Sequence, residues 1–225
     1  MSEEERRIIA IGDIHGCARS LESLLELISP TKSDTLVLLG DLVDRGPDVR
    51  RVMELVLALG ETCELITLLG NHEEMMLDVV DGHAPPEEWM RHGGAATLES
   101  YGFAGDLSVV PVSHLEFLDA ARDYYETDDY FFVHGNYWPD RELEDIPPRV
   151  LRWTALRQYV PEPHFSGKTA VVGHTADRGG DIQDLGHLIC IDTYCYGGGW
   201  LTALDVGSLR FWQTNESGES REDAL

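Results

Sequence analysis

At 225 residues, with 43% apolar and 26% charged residues, the chain is long enough to bury one sizeable core and too apolar to be disordered. Its 17 Lys and Arg stand against 41 Asp and Glu, a formal net charge of -24. That balance argues against nucleic acid as a partner and requires any phosphate site to gather its own positive charge, from metal ions or arginine.

Along the chain, short runs rich in Ile, Val and Leu at about 7–12, 35–40, 64–70, 130–134 and 169–173 each stop at Gly or His and predict buried strands. Between the first three lie helical patterns, "CARSLESLLELI" and "DVRRVMELVLALG", the second running from a Pro47 start signal to a Gly60 stop. Strand, helix, strand, helix, strand implies parallel βαβ units in an α/β fold. The segment 81–129 carries no strand-end motif and predicts a helical cap or insertion. After residue 185, "HLICIDT", "WLTALDV" and "SLRFWQT" predict antiparallel strands joined by hairpins at "YCYGGG" and "DVGS". Residues 215–225 predict a flexible, solvated tail, so one domain is expected over 1–225. Cys17, Cys63, Cys190 and Cys195 lack CxxC spacing and predict reduced, mostly buried thiols. No run reaches the roughly 18 apolar residues of a membrane span. "MSEEERR" has no apolar leader core, so the cytoplasm and no membrane contact are expected.

The polar chemistry sits where the apolar runs end: "IAIGDIHG", "VLLGDLVDRG", "LLGNHEE", "FFVHG" and "AVVGHT". In open α/β sheets the crevice beyond the strands' carboxyl ends is where sites form. Asp13, His15, Asp41, Asp44, Asn71, His72, His134 and His174 therefore form one expected constellation. It contains carboxylates, imidazoles and an amide but no thiolate, a ligand set for two hard or borderline divalent ions sharing a carboxylate.

In that order, "GDIHG", "GDLVDRGPD", "GNHE", "VHG" and "GHT" resemble the metallophosphoesterases, and most closely the bacterial serine/threonine protein phosphatases of that superfamily. The resemblance implies a four-layer αββα sandwich of mixed sheets with a small helical cap. It assigns one ion to Asp13, His15 and the bridging Asp41, and the other to Asp41, Asn71, His134 and His174. Manganese is the implied metal, with iron, zinc, nickel and cobalt as alternatives. His72 becomes the general acid, Asp44 its orienting carboxylate and Arg45 a phosphate clamp, with Asn71 also contacting phosphate. A second phosphate arginine is expected among Arg149, Arg152 and Arg157, with Arg152 preferred. The implied reaction is in-line attack of a metal-bridging hydroxide on a phosphomonoester, with a phosphoprotein or phosphopeptide as substrate, Ser/Thr-linked or Tyr-linked.

Two rival readings remain. Dinucleoside-polyphosphate hydrolases share "GDIHGC" and a similar second motif but typically read "GNHD", so the Glu at 73 favours the protein phosphatase. A non-catalytic phosphoprotein-binding module would have lost a ligand or the acid, and none is missing. Glu73 itself is expected to meet the helix dipole, the remaining histidines His83, His92, His114, His164 and His187 to pack or face solvent, and "YCYGGGW" to be a plain glycine-rich hairpin.

Overall fold

A computed structural model describes residues 6–225; the acidic start, Met1–Glu5, lies outside the described residues. The chain first lays down β1 (Ile8–Ile11), α1 (Ala18–Ile28), β2 (Thr35–Leu38), α2 (Val49–Leu59), β3 (Glu64–Thr67) and α3 (Asn71–Val80). The cap follows, with α4 (Glu87–Trp89), a π-helical turn over Met90–Gly94, α5 (Ala95–Ser100) and α6 (Val112–Asp119). A second βα run comprises β4 (Tyr124–Glu126), β5 (Tyr130–Val133), α7 (Pro148–Trp153), β6 (Thr169–Val172), β7 (Gln183–Asp184) and β8 (Leu188–Cys190). The chain ends in β9 (Leu201–Asp205), β10 (Arg210–Thr214) and β11 (Ser220–Ala224).

These strands form two mixed sheets, ordered β11-β10-β9-β1-β2-β3 and β4-β5-β6-β8-β7. Parallel pairing joins β1 to β2 to β3 and β5 to β6 to β8, while the outer strands run antiparallel. The apolar runs are continuous because both faces of each sheet are covered. Ala10, Val37, Leu204, Phe132, Val171 and Ile189 point between the sheets, whereas Ile9, Ile11, Leu36 and Leu38 point outward onto α1 and α2. On the far face, Phe131, Val133, Ala170 and Val172 pack against Tyr137, Leu143 and Leu151, the last from α7. The result is the αββα sandwich expected, with a thin second helical layer.

Three expectations need correction. The "YCYGGG" stretch is no hairpin between neighbours: β8 runs parallel to β6 in the second sheet while β9 pairs with β1 in the first, so the chain crosses between sheets there. The end of the chain is not a loose tail. All five residues of β11 pair with β10 across a turn in which the Asn215 side chain accepts from the backbone N–H groups of Ser217 and Glu219. "SREDA" has no apolar periodicity because this edge strand is held by its backbone ladder, and its charges blunt the sheet edge. Finally, the segment 81–129 is helical only as far as α6; its last residues form β4, where Tyr125 packs beside Phe132.

Phe132→Ala should open a cavity between the sheets and lower unfolding free energy by about 3–5 kcal/mol. Denaturant titration would read this as a shifted midpoint, and a loss below about 1 kcal/mol would mean that the inter-sheet layer does not carry the fold.

Candidate functional site

The first three parallel strands of one sheet and β5 and β6 of the other end at the same edge, and their following loops interlock. The Asp41 carbonyl accepts from the N–H groups of both Ile14 and His15, at 3.1 and 2.8 Å. The His72 N–H donates to Asp41 Oδ1 and the His174 N–H to both Asp13 oxygens. Two glycines allow this approach, since a Cβ on Gly70 would overlap Asp41 Oδ1 and one on Gly173 would overlap Asp13 Oδ1. Six of the eight non-glycine residues with positive φ among the described residues are His15, Asp41, Asp44, Arg45, His174 and Tyr194. Each such conformation costs roughly 1–2 kcal/mol, so strain is concentrated at this edge.

Glu73 is what holds the second loop in that conformation. Its buried carboxylate accepts from the N–H groups of Asp41, Leu42, Val43 and Gly70 at 2.7–3.1 Å. Burial and the Asp41 charge push this carboxyl up to about 7. Four N–H donors nevertheless favour the ionised form, because a protonated oxygen would aim its O–H at one of them. Glu73 does not face the cleft, so its identity says nothing about substrate.

The described residues bring His15, Asp41 and His72 into one group and Asp41, His134 and His174 into another, sharing Asp41; Asp13, an expected ligand of the first ion, falls in neither group, and its carboxylate accepts from the His174 N–H. Asp41 Oδ2 lies 3.4 Å from His15 Nε2, and Oδ1 lies 3.5 Å from His134 Nε2. Each expected ligand imidazole has one ring nitrogen committed to a backbone carbonyl: His15 Nδ1 to Val43, His134 Nδ1 to Leu39, His174 Nε2 to Trp153. A carbonyl only accepts, so those nitrogens carry the protons and the others present lone pairs to the site. His134 Nε2 then faces Asn71 Oδ1 at 3.1 Å, lone pair to lone pair. Burial holds His15, His134 and His174 below the ordinary imidazole value, His174 at about 3.

Burial would raise the Asp41 carboxyl, but it lies below the usual range because any proton shared among the surrounding imidazoles, His134, His72, His15 and His174, sits on a ring and not on Asp41. Asp13 is pushed up by burial and then by the charges of Asp192 and Asp41, and Asp192 by burial to about 6. Buried carboxylates beside neutral imidazoles and an amide oxygen, with lone pairs converging, are a donor set that divalent cations fit.

His72 stands apart. Its Nδ1 meets Asp44 Oδ2 at 2.6 Å, leaving Nε2 toward the cleft, where an Arg45 guanidinium N–H donates to it at 2.8 Å. Burial opposes charge on His72, but Asp41 and Asp44 prevail and its pKa is raised. The cap supplies the rest. Trp89 Nε1 donates to both Asp44 oxygens, at 2.9 and 3.1 Å, and Thr97 Oγ1 donates to Oδ1 at 2.7 Å. Arg45 also donates to His15 Nε2 and lies 4.4 Å over the Tyr196 ring.

A cleft of about 670 Å³ opens over these groups, lined among others by Arg45, Arg157, Arg178, His92, Tyr194 and Tyr196. Arg152, the preferred second phosphate arginine, is not there. It donates to Glu74 at 2.8 Å and to Asp123 at 2.6 Å, ion pairs that consume its fork. Arg157 faces the cleft instead, as does His92, which was expected to pack or face solvent, and the "YCYGGGW" tyrosines stand over the site. His114 and His164 are buried packing residues. All four cysteines are free and buried. Asp192, Trp89 and Thr97 were missed; only Asp192 had a sequence signal, since "ICID" also ends a buried run.

An αββα sandwich with bridging-carboxylate ligand groups at its strand ends defines a two-metal phosphoesterase class. Residues 6–203 match the family described as calcineurin-like phosphoesterase, and the chain belongs to that metallophosphoesterase family of hydrolases. It is similar to the symmetrical bis(5'-nucleosyl)-tetraphosphatase of Methylobacillus flagellatus, 31% identical over 91% of this chain and 93% of that protein. The corresponding enzyme of Nitrosospira multiformis is 28% identical over 92% and 95%. A candidate diadenosine tetraphosphatase of known structure superposes over 100% of this chain and 96% of its own with a TM-score of 0.67 at 24% identity, which shows the fold. These matches overturn the expected phosphoprotein partner, because whole-length similarity leads to proteins named for small nucleotide substrates. No helix among the described residues is long and apolar enough to cross a membrane.

Asp44→Asn should remove the charge that stabilises protonated His72 and so lower its pKa. Because His72 is read as acting in its protonated form, the alkaline limb of the pH–rate profile should move to lower pH by about one unit, and an unmoved limb would dissociate Asp44 from the acid.

Proposed function

We propose that this protein hydrolyses dinucleoside tetraphosphates symmetrically, releasing two nucleoside diphosphates. The observation that carries the reading is the row of Arg45, Arg157 and Arg178 along one cleft in a chain of net charge -24. Among the described residues none of the three forms an ion pair with a carboxylate, whereas Arg152 beside them forms two. The phosphomonoester reading calls for two such forks; a phosphate chain with several negative charges has use for a third. The similarity to symmetrical tetraphosphatases over nine-tenths of the chain supports the same substrate.

Two divalent cations, one held by Asp13, His15 and Asp41 and one by Asp41, Asn71, His134 and His174, would neutralise phosphate charge and acidify water when bound. The chain's own groups supply the remainder. Arg45, propped by Tyr196, grips the non-bridging oxygens of the phosphate under attack. Water oxygen forms the new bond to phosphorus as the bridging P–O bond opposite breaks. With Arg45 turned from His72 onto the phosphate, His72 Nε2 carries a proton and gives it to the departing diphosphate oxygen, with Asp44 steadying the imidazolium; acid and base work of this kind contributes about 10²–10⁴-fold. Trp89 and Thr97 fix Asp44, which gives the cap a role in the reaction.

With manganese supplied, kcat/KM for diadenosine tetraphosphate should exceed that for a phosphoserine peptide by at least about 100-fold, the equivalent of about 2.7 kcal/mol. Chromatography should show ADP as the sole nucleotide product; ATP with AMP, or faster peptide hydrolysis, would reject the reading. Arg178→Ala should raise KM for the tetraphosphate by about tenfold, near 1.4 kcal/mol, and leave p-nitrophenyl phosphate turnover unchanged. Equal effects on both substrates would place Arg178 outside the polyphosphate path.

A further inference from the structure

A second cleft, of about 400 Å³, opens beside the catalytic one between α3, the beginning of the cap and α7. The two are neighbours across a single side chain, since Trp153 lines both. Their chemistries differ. The catalytic cleft gathers guanidinium groups, whereas the second is walled by Met75, Val79, Ala84, Pro85 and Trp89 and edged by Glu74, Asp78 and Glu88, with Arg149 as its single guanidinium. Glu74 is committed to Arg152, which leaves Asp78 and Glu88 as acceptors at the rim; Asp78 lies about half exposed, with only His83 approaching it at 4.0 Å.

With Glu74 paired, Asp78 and Glu88 still outnumber Arg149, so the rim is net negative and disfavours a phosphate group. The same rim and walls suit an uncharged ligand that is flat and apolar on its faces and rich in O–H and N–H donors at its edges. A nucleoside has that form: the base provides the faces, and the sugar diol and any exocyclic amine provide the donors. The size lies within the usual range for small-molecule sites, roughly 300–1,000 Å³. We propose that this slot is a nucleoside subsite, in which the base lies against Trp153 while Asp78 and Glu88 accept hydrogen bonds from the sugar or base. The phosphate chain then passes Trp153 into the arginine-lined cleft. Keeping an excess of carboxylate at one cleft and three guanidinium groups at the other lets an acidic protein bind a polyanion with uncharged ends.

The inference rests on the dinucleoside-tetraphosphate reading but is tested apart from it. Ala84 borders the slot and takes no part in the ligand groups or the acid, so Ala84→Phe should fill the slot and leave the catalytic cleft intact. Adenosine should quench the tryptophan fluorescence of the full-length protein saturably, and Ala84→Phe should weaken that binding at least tenfold. The variant should also raise KM for diadenosine tetraphosphate about tenfold while hydrolysing inorganic tripolyphosphate, which has no nucleoside, within about twofold of the original rate. Should the larger side chain disturb folding, seen as lost tripolyphosphate hydrolysis, Asp78→Ala serves instead, and its adenosine Kd should rise at least about threefold.

If adenosine binds and Ala84→Phe abolishes that binding, but the tetraphosphate is not cleaved by the unaltered protein, the slot stands and the hydrolase reading falls. If the tetraphosphate is cleaved with the same KM in Ala84→Phe and adenosine does not bind, the slot falls and the hydrolase reading stands. Equal loss on tetraphosphate and tripolyphosphate in a folded Ala84→Phe, or an unchanged Kd in Asp78→Ala, also overturns the slot.

Discussion

The site depends on one carboxylate that never reaches it. Glu73 accepts the N–H groups of Asp41, Leu42, Val43 and Gly70, and so ties the start of α3 to the loop after β2. That loop holds Asp41, Asp44 and Arg45 at positive φ, conformations that an unsupported chain would leave. Once Asp41 is fixed, its carbonyl holds the first loop through Ile14 and His15, and its side chain meets His15 on one oxygen and His134 on the other. The clamp offsets the strain with charge-assisted hydrogen bonds, which are about twice as strong as neutral ones.

Charge is the second organising feature. A net charge of -24 is hostile to phosphate at long range, yet the crevice reverses that sign locally. Buried imidazoles stay neutral, carboxylates converge where cations would fit, and Arg45, Arg157 and Arg178 are kept from ion pairing while Arg152 next to them is fully paired. What separates Arg152 from Arg157 is only the direction in which each leaves the segment around α7. The cap contributes by a different route: Trp89 and Thr97 reach over to saturate Asp44, whose remaining contact is His72. An insertion that supplies no metal-type residue therefore still shapes the acid.

Glu73 illustrates how a correct motif led to a mistaken inference. As one letter of "GNHE" it favoured phosphoprotein chemistry, but a residue turned back into its own scaffold reports on loop geometry and not on the ligand in the cleft. Arg152 erred in the same way, since "RVLRWTALRQ" places three arginines within reach of the site and the carboxylates that capture one of them, Glu74 and Asp123, are remote in sequence. The end of the chain went unread because β11 has no apolar face; an exposed edge strand is specified by its partner's unpaired backbone groups and by a turn, neither of which alters hydropathy.

The sequence alone determined the buried parallel strands, the polar residues at their ends and the order of the five motifs, because strand burial and strand-end chemistry are written in local runs of a few residues. Tertiary structure decided which sheet β8 and β9 join, which arginine faces the cleft, that Asp192 stands beside Asp13, and that Trp89 and Thr97 belong to Asp44. Those outcomes turn on side-chain direction and on contacts between residues tens of positions apart, and local sequence carries no record of either until the two sheets close on each other.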